Sequence, residues 1–228
     1  MITVSDNILR NVFYIRVGKN TGTCFCINYR GKKYLVTAKH MVKKEDTIDI
    51  DILKNGTYEH QKAKVFFSDN DEVDIIVLQV TIDETIKGIN ILKEQPNVEA
   101  GQEMYFLGFP FGMVQGEYSY NNGYPIPFVK RAFLSCANGL NGYAHLWLDG
   151  TNNPGFSGGP VIYESVDEQT RRPEQYLAGV ISSYRCDVKS VLKEDTGETT
   201  GYIYQENAGI INAHGKASII DIIEKNNI

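Results

Sequence analysis

Three polar residues stand beside apolar or glycine-rich segments in an order that permits hydrolytic chemistry. His40 follows the apolar run Tyr34–Thr37, Asp74 opens the run Ile75–Val80, and Ser157 stands among glycines. A serine hydroxyl is a weak nucleophile at neutral pH, so it needs an imidazole to accept its proton and a carboxylate to orient that imidazole. A carboxylate entering a buried strand needs a strong hydrogen-bond partner, which a histidine N–H supplies. We therefore predict a nucleophile, a base and an orienting acid.

The segment around the serine is built for close backbone approach. Gly155, Gly158 and Gly159 allow turns that a Cβ atom would obstruct. The N–H groups of Gly155 and Ser157 can then converge on one point, as an oxyanion hole requires. Loss of one donor from such a hole typically costs about two to three orders of magnitude in rate. We predict that these two amides stabilise a developing oxyanion.

The elements that must position these residues are mostly strands. Ile48, Ile50 and Ile52 alternate with aspartates, which is the period of a half-buried strand. A single amphipathic helix is predicted at 216–225, where isoleucines cluster on one side. About a dozen short apolar segments separated by Gly, Asn and Asp predict an all-β protein. The predicted strands are Asn11–Val17, Cys24–Tyr29, Tyr34–Thr37, Ile48–Lys54, Ala63–Phe67, Ile75–Val80, Glu103–Leu107, Phe128–Leu134, Ala144–Leu148, Val161–Tyr163, Leu177–Ser182 and Gly209–Ala213.

A linker separates two strand-rich halves. The stretch 93–102 contains proline, asparagine and glycine, a composition typical of a connection between domains. We predict an N-terminal β-barrel over 1–95, which carries the base and the acid. A C-terminal β-barrel over 96–228 would then carry the nucleophile and the terminal helix.

The three segments resemble the motifs of the trypsin/chymotrypsin-like serine peptidase family, in the style of its bacterial HtrA-like branch. Thr37–His40 resembles the family's Thr/Ser-Ala-x-His, Asp74–Leu78 its Asp-Ile-Ala-Leu-Leu, and Gly155–Pro160 its Gly-Asn/Asp-Ser-Gly-Gly-Pro. The resemblance spans nearly the whole chain. It implies two packed six-stranded antiparallel β-barrels, with the active site between them. It also implies a serine endopeptidase that hydrolyses protein or peptide substrates through an acyl-enzyme, without a cofactor or metal.

The same resemblance identifies substrate-binding positions. Ser182, Ser183 and Tyr184 stand where the family pairs with the substrate backbone and forms one wall of the primary specificity pocket. Gly209 would line the opposite wall, and Thr151 stands where trypsins have the aspartate at the pocket base. These positions imply an uncharged, small residue on the acyl side of the scissile bond.

The residue before the serine departs from the family pattern. Zymogen-type members have an aspartate there, which pairs with a newly cut N-terminus, whereas this chain has Phe156. This departure implies that activity is controlled by loop ordering or by an activating protein partner. The long polar segments 115–127 and 185–207 are predicted as functional loops, because loops of that length are uncommon otherwise.

The residues of the predicted site allow two other interpretations. The segment Gly155–Gly159 also fits the nucleophile elbow of α/β-hydrolases, with Asp187 and His214 in that fold's order. The elbow requires a helix after the serine, but Pro160–Tyr163 has strand composition, which disfavours that fold. The second reading is a catalytically silent trypsin-like module that binds extended peptides by pairing along Ser182–Tyr184.

Composition and charge limit the classes of binding partner and the cellular compartment that we expect for this protein. A net charge of −5 and a pI near 5.4 disfavour binding to nucleic acids and to acidic membranes. Met1–Arg10 lacks the apolar core of a signal peptide and no stretch reaches transmembrane length, so we expect a cytoplasmic protein. Cys24, Cys26, Cys136 and Cys186 include no Cys-x-x-Cys spacing, so they are predicted as small buried thiols rather than a zinc site.

Overall fold

The structure, a computed structural model, describes residues 3–92, 97–114, 118–140, 143–167 and 170–228. Its strands are β1 (Val12–Val17), β2 (Asn20–Tyr29), β3 (Lys32–Thr37), β4 (Thr47–Lys54), β5 (Thr57–Phe67), β6 (Ile76–Gln79), β7 (Ile89–Asn90), β8 (Glu103–Gly108), β9 (Phe128–Leu140), β10 (Tyr143–Asp149), β11 (Pro160–Val166), β12 (Pro173–Leu192) and β13 (Thr199–Gly215). Its α-helices are α1 (Asp6–Leu9) and α2 (Lys216–Lys225), and short 3-10 turns lie at Lys39–Met41, Pro110–Gly112 and Tyr118–Asn121. None of the helices in these ranges has the length and apolar character needed to span a membrane.

The first six strands close into a barrel. Their order is β1-β4-β5-β6-β3-β2, and antiparallel pairing of β1 with β2 completes the ring, while the short β7 adds to β2 in parallel. Ile48, Ile50 and Ile52 on β4 are buried, as their alternation predicts. Side chains such as Phe13, Leu35 and Ile76 fill the interior.

The second barrel closes in the order β10-β13-β12-β11-β8-β9, with all neighbouring pairs antiparallel. Its interior contains Phe106, Leu148, Tyr163 and Ile181, all fully buried. The predicted all-β fold of two packed six-stranded barrels with a C-terminal helix is therefore confirmed.

Helix α2 joins the two barrels. Ile219, Ile222 and Ile223 are fully buried in a cluster that also contains Val77 of the first barrel and Val180 of the second. Full burial of one such side chain contributes about 1.5–3 kcal/mol. The helix occupies the predicted range, and its isoleucines help to fix each barrel against the other.

The prediction of a loop at 185–207 is wrong. In this segment β12 and β13 continue outward as a paired hairpin, with Cys186 opposite Asn207 and Leu192 opposite Thr199. The other predicted loop, 115–127, contains three residues outside the described ranges, at 115–117. Further along, Tyr124 is buried and packs edge-on against Phe13, with the ring centroids 4.7 Å apart.

The connection between the barrels bears on the predicted domain boundary. The last strand of the first barrel sheet ends at Asn90 and the next strand begins at Glu103, but the predicted boundary between 95 and 96 lies outside the described residues.

Cys24 and Cys26 are buried as predicted, and burial raises the pKa of Cys26 to about 12.

The remaining two cysteines, Cys136 and Cys186, are exposed, so the prediction of buried thiols is wrong for them. Cys186 lies on the projecting hairpin, which leaves it outside the barrel core. In the described ranges, no group of three or more His, Cys, Asp and Glu side chains is arranged to hold a metal ion.

Candidate active site

Strand pairing brings His40 and Asp74 together. His40 lies in a single 3-10 turn that follows β3, and Asp74 lies just before β6. Thr37 pairs with Ile76 in the antiparallel β3–β6 ladder, so the end of one strand meets the start of the other. The Lys39 amide donates to the Asp74 carbonyl at 3.3 Å, which joins the two connecting segments.

The Asp74 carboxylate accepts three hydrogen bonds. The His40 amide donates to Oδ1 at 2.8 Å, His40 Nδ1 lies 2.7 Å from Oδ2, and the Ser182 hydroxyl donates to Oδ2 at 2.6 Å. Burial acts to raise the pKa of Asp74, but the hydrogen bonds from His40 and Ser182 outweigh it and lower that pKa. Asp74 is therefore ionised at neutral pH.

The carboxylate in turn acts on the imidazole. Its hydrogen bond raises the pKa of His40 above the ordinary value, against the opposing effect of burial. The side chain of His40 remains 50% exposed. With Nδ1 donating to Asp74, the neutral ring presents an unprotonated Nε2, the form that a general base needs.

The turn containing Ser157 packs against the first barrel. The Thr23 amide donates to the Ser157 carbonyl at 3.1 Å, and the Gly158 amide donates to the Ile181 carbonyl at 2.8 Å. Gly158 has φ of +83°, and a Cβ there would overlap the Thr23 carbonyl oxygen. Glycine is required at this position for both reasons.

The Ser157 hydroxyl is bonded to Ser182. It donates to the Ser182 carbonyl at 3.1 Å, and no hydrogen bond joins it to His40 in the part of the chain that the structure describes. Bonds between nucleophile and base are often long in enzymes without substrate. Ser182 thus contacts both Ser157, through its carbonyl, and Asp74, through its hydroxyl.

The peptide group before Gly155 has a fixed orientation. The Phe111 amide donates to the Pro154 carbonyl at 2.7 Å, and the Thr23 hydroxyl donates to the Gly155 carbonyl at 2.7 Å. In a trans peptide the N–H points opposite to the carbonyl, so the Gly155 amide faces away from Phe111. Within the described ranges neither the Gly155 amide nor the Ser157 amide donates to a protein acceptor, which leaves both donors available.

Phe156 is held by apolar packing. It is fully buried against Phe106, with ring centroids 4.9 Å apart, and the Lys130 ammonium lies 5.8 Å from the centre of its ring. Lys130 also donates to the Asn153 side chain at 3.0 Å and to the Thr151 carbonyl. Sequence reasoning missed Lys130, since an isolated lysine on a strand carries no motif.

The predicted substrate-binding residues lie in different surroundings. Ser182 is buried and its hydroxyl is committed to Asp74, whereas Ser183 and Thr151 are exposed and Tyr184 is half-buried. Gly209 has φ of +73°, and its carbonyl accepts a hydrogen bond from the Gly150 amide at 2.9 Å. This hydrogen bond joins the backbone at Gly209, the predicted pocket wall, to the segment before Thr151.

A cleft opens beside His40 on the first barrel. Its volume is about 880 Å³ and it is open to solvent. Three lysines and two carboxylates give it mixed charge. The lining residues are Val17, Gly18, Lys19, Asn20, His40, Met41, Val42, Lys43, Glu45, Thr47, Ile48, Asp49 and Lys62.

On the far side of Asp74 lies a histidine of the second barrel. The Asp74 amide donates to His214 Nε2 at 3.1 Å, and the ring is 1% exposed. Its position in the interior, away from solvent, was not apparent from the sequence. A histidine without metal spacing gives no signal for such a contact.

Solved structures share this fold at low sequence identity. The inactive form of the Rv3671c protease, from M. tuberculosis, has a TM-score of 0.57 and 16% identity, over 96% of this chain and 89% of that chain. The serine endoprotease from Yersinia pestis has a TM-score of 0.59 and 18% identity, over 99% and 67%. A variant of the HtrA-type protease AlgW with a tripeptide has a TM-score of 0.59 and 19% identity, over 97% and 63%.

Sequence comparison gives the family. None of the curated proteins compared with this chain matches it. The family described as trypsin-like peptidase domain matches residues 22–166. Because this match covers more than half of the 228 residues, the chain belongs to the trypsin-like peptidase family.

Proposed function

We propose that this protein is a serine endopeptidase in which Ser157, His40 and Asp74 form the catalytic triad. One observation carries the proposal: the half-buried, ionised Asp74 carboxylate accepts hydrogen bonds from both His40 and Ser182, while the Ser182 carbonyl accepts a hydrogen bond from the Ser157 hydroxyl. A carboxylate held in this way fixes the tautomer of the imidazole and stabilises the imidazolium formed during proton transfer.

The proposed reaction follows from these contacts. The Ser157 hydroxyl first breaks its hydrogen bond to the Ser182 carbonyl. Its oxygen then attacks the scissile carbonyl carbon as its proton passes to His40 Nε2. The developing oxyanion accepts from the Gly155 and Ser157 amides. His40 then protonates the leaving amine, and water hydrolyses the acyl-enzyme by the same route in reverse. No step in this sequence calls for a group other than protein and water.

We propose an extended peptide as the substrate, paired with the backbone of Ser182–Tyr184. A substrate N–H at the Ser182 carbonyl would displace the Ser157 hydroxyl that occupies it, so substrate binding would release the nucleophile towards His40. The chain beyond the scissile bond has room in the cleft beside His40. Thr151 favours an uncharged side chain at the residue before the scissile bond, and Tyr184, which stands where the family usually has a glycine, favours a small one.

We propose control by loop ordering or by an activating protein, rather than by zymogen cleavage. Phe156 supports this, because a phenyl ring buried against Phe106 offers no charge to a new N-terminus. The predicted cytoplasmic location is compatible with such control, since an unrestrained endopeptidase would damage cellular proteins.

The test is intact-mass analysis of the full chain after treatment with a fluorophosphonate. We expect one adduct on the wild type, none on Ser157→Ala, and strongly slowed labelling of Asp74→Asn. Ser135→Ala is the matched control, because it removes an exposed hydroxyl on β9, outside the proposed site, and should label at the wild-type rate. Equal labelling of wild type and Ser157→Ala would contradict the proposal. If the wild type takes no adduct even with a peptide bound along Ser182–Tyr184, the chain is instead a silent peptide-binding module.

A further inference from the structure

Among the described residues of the second barrel, His214 is the histidine that contacts the proposed triad. It lies on β13, opposite His145 of β10 and Val180 of β12. Its ring is 1% exposed, and Nε2 lies 3.1 Å from the amide nitrogen of Asp74, 140 residues earlier in the chain. The contact therefore crosses from the second barrel to the first.

The chemistry of this contact fixes the tautomer. A backbone N–H can only donate, so His214 Nε2 must be unprotonated and accept. The ring proton then resides on Nδ1, which is buried and has no hydrogen-bond partner in the described ranges. A buried unpaired donor weakens a fold. An apolar side chain would avoid that cost, so the accepting nitrogen at Asp74 is the feature that distinguishes histidine here.

The groups that face His214 keep it neutral. Burial lowers its pKa to about 4, and the ring of His145, 4.5 Å away between centroids, acts in the same direction. Asp74 acts in the opposite direction and Lys39 again lowers the pKa, both by smaller amounts. Nε2 therefore remains an acceptor throughout the pH range in which His40 could serve as a base.

The second barrel thus contacts Asp74 in two ways. The Ser182 hydroxyl donates to the carboxylate at 2.6 Å, and His214 accepts from the main chain at 3.1 Å. From the first barrel, the Lys39 amide donates to the Asp74 carbonyl. The main chain of Asp74 is consequently held at both its N–H and its carbonyl, by different barrels. The direction in which the carboxylate leaves the backbone depends on these contacts.

We propose that His214 is a positioning residue, which holds the Asp74 main chain across the barrel interface so that its carboxylate stays aligned with His40. The inference rests on the proposed function for its catalytic consequence, but the alignment itself is a property of the fold. A misplacement of about 1 Å at a reacting group can cost about 100-fold in rate.

Two polar substitutions separate positioning from general stability. In His214→Gln the amide oxygen can reach the place of Nε2 and accept from Asp74. In His214→Asn the amide stops near the place of Nδ1, one bond short. Both variants bury an amide in the same site, which makes them a matched pair.

The first measurement is the NMR titration of the His40 imidazole in the full-length variants, with Ser157→Ala as a common background. We expect His214→Asn to lower the pKa of His40 towards its ordinary value of 6.5 and His214→Gln to leave it near the wild-type value. The second is fluorophosphonate labelling with Ser157 present. We expect the maximal inactivation rate of His214→Asn to fall about 10- to 100-fold with unchanged reagent affinity, and His214→Gln to stay within about threefold of wild type.

Equal behaviour of the two variants, or an unchanged His40 titration in His214→Asn, would overturn the inference. The wild type gives a test that needs no variant, because ¹⁵N shifts report the tautomer of His214. A proton on Nε2 would overturn the inference even if His214→Asn did not fold. If the wild type takes no fluorophosphonate, the proposed function fails while the His40 titration still decides the role of His214.

Discussion

Replacing His214 by Gln should make the protein more resistant to acid. In the unfolded chain this imidazole titrates near 6.5, whereas in the fold burial, and then His145, hold its pKa at about 4. Between these values the unfolded state binds a proton that the folded state does not, so stability falls as pH decreases. The difference between the two pKa values of His214 corresponds to a loss of about 3 kcal/mol in the free energy of unfolding, at about 1.4 kcal/mol per pH unit. Gln cannot bind the proton and removes this loss.

His40 and Asp74 also have shifted pKa values, but neither changes the expected difference in stability between the wild type and His214→Gln. The raised pKa of His40 acts with the opposite sign, since its contribution is fully present below pH 6.5 and is lost as pH rises through the folded value. The lowered pKa of Asp74 contributes stability that is lost below about pH 3.8, outside the window. Both groups are present in wild type and variant, so their effects cancel in the difference.

Urea unfolding measures the effect. Both proteins would carry Ser157→Ala to prevent self-cleavage, and the free energy of unfolding would be compared at pH 7.5 and 4.5. We expect the variant to gain about 2–3 kcal/mol relative to the parent over this change. His60→Gln is the control: His60 is exposed and pairs with Asp49 and Asp51, so its loss should give no gain in acid. A difference that stays constant with pH within about 0.5 kcal/mol would refute the reasoning.

Four further predictions concern the proposed triad, with fluorophosphonate labelling as the common readout. Asp74→Asn should label about 10⁴-fold more slowly, because the amide cannot hold the imidazole in the required tautomer. Gly155→Ala should lose about 100- to 1000-fold, since φ is +104° and a Cβ would overlap the Phe109 carbonyl oxygen, displacing an oxyanion donor. Ser182→Ala should lose about 10- to 100-fold, as a bond to a charged carboxylate contributes about 1.5–3 kcal/mol. The wild-type rate should rise with pH through the raised pKa of His40, because the base must be neutral; a midpoint below 6.5 would contradict this.

The strand pattern predicted most of the fold because burial in these barrels follows simple alternation. Each of the predicted strands overlaps a strand of the structure, and the helix occupies 216–225 as predicted. The outward hairpin of β12 and β13 was missed for a physical reason. Its side chains are exposed on both faces, so apolar residues such as Val188 and Tyr202 do not alternate with polar ones in a way that marks a strand.

The candidate site was predictable where the chemistry is local and not where it depends on packing. Residue type and spacing selected His40, Asp74 and Ser157, and the β3–β6 ladder explains the contact between the first two. The contacts of Asp74 with Ser182 and His214 join residues 108 and 140 positions apart. Nothing in the local sequence encodes them, because they arise from the way that two closed barrels pack across a shared core.

Phe156 departs from the family pattern and changes how the segment before Ser157 is stabilised. An aspartate at this position would be buried beside Phe106 and would need a cation to offset its desolvation. A phenyl ring needs none, and it packs directly into the second barrel. The turn before Ser157 is then held by this packing, by Lys130 at Asn153 and by the Phe111 amide at Pro154. None of these contacts depends on a cleaved N-terminus, which supports the proposed control by loop ordering or by a protein partner rather than by zymogen cleavage.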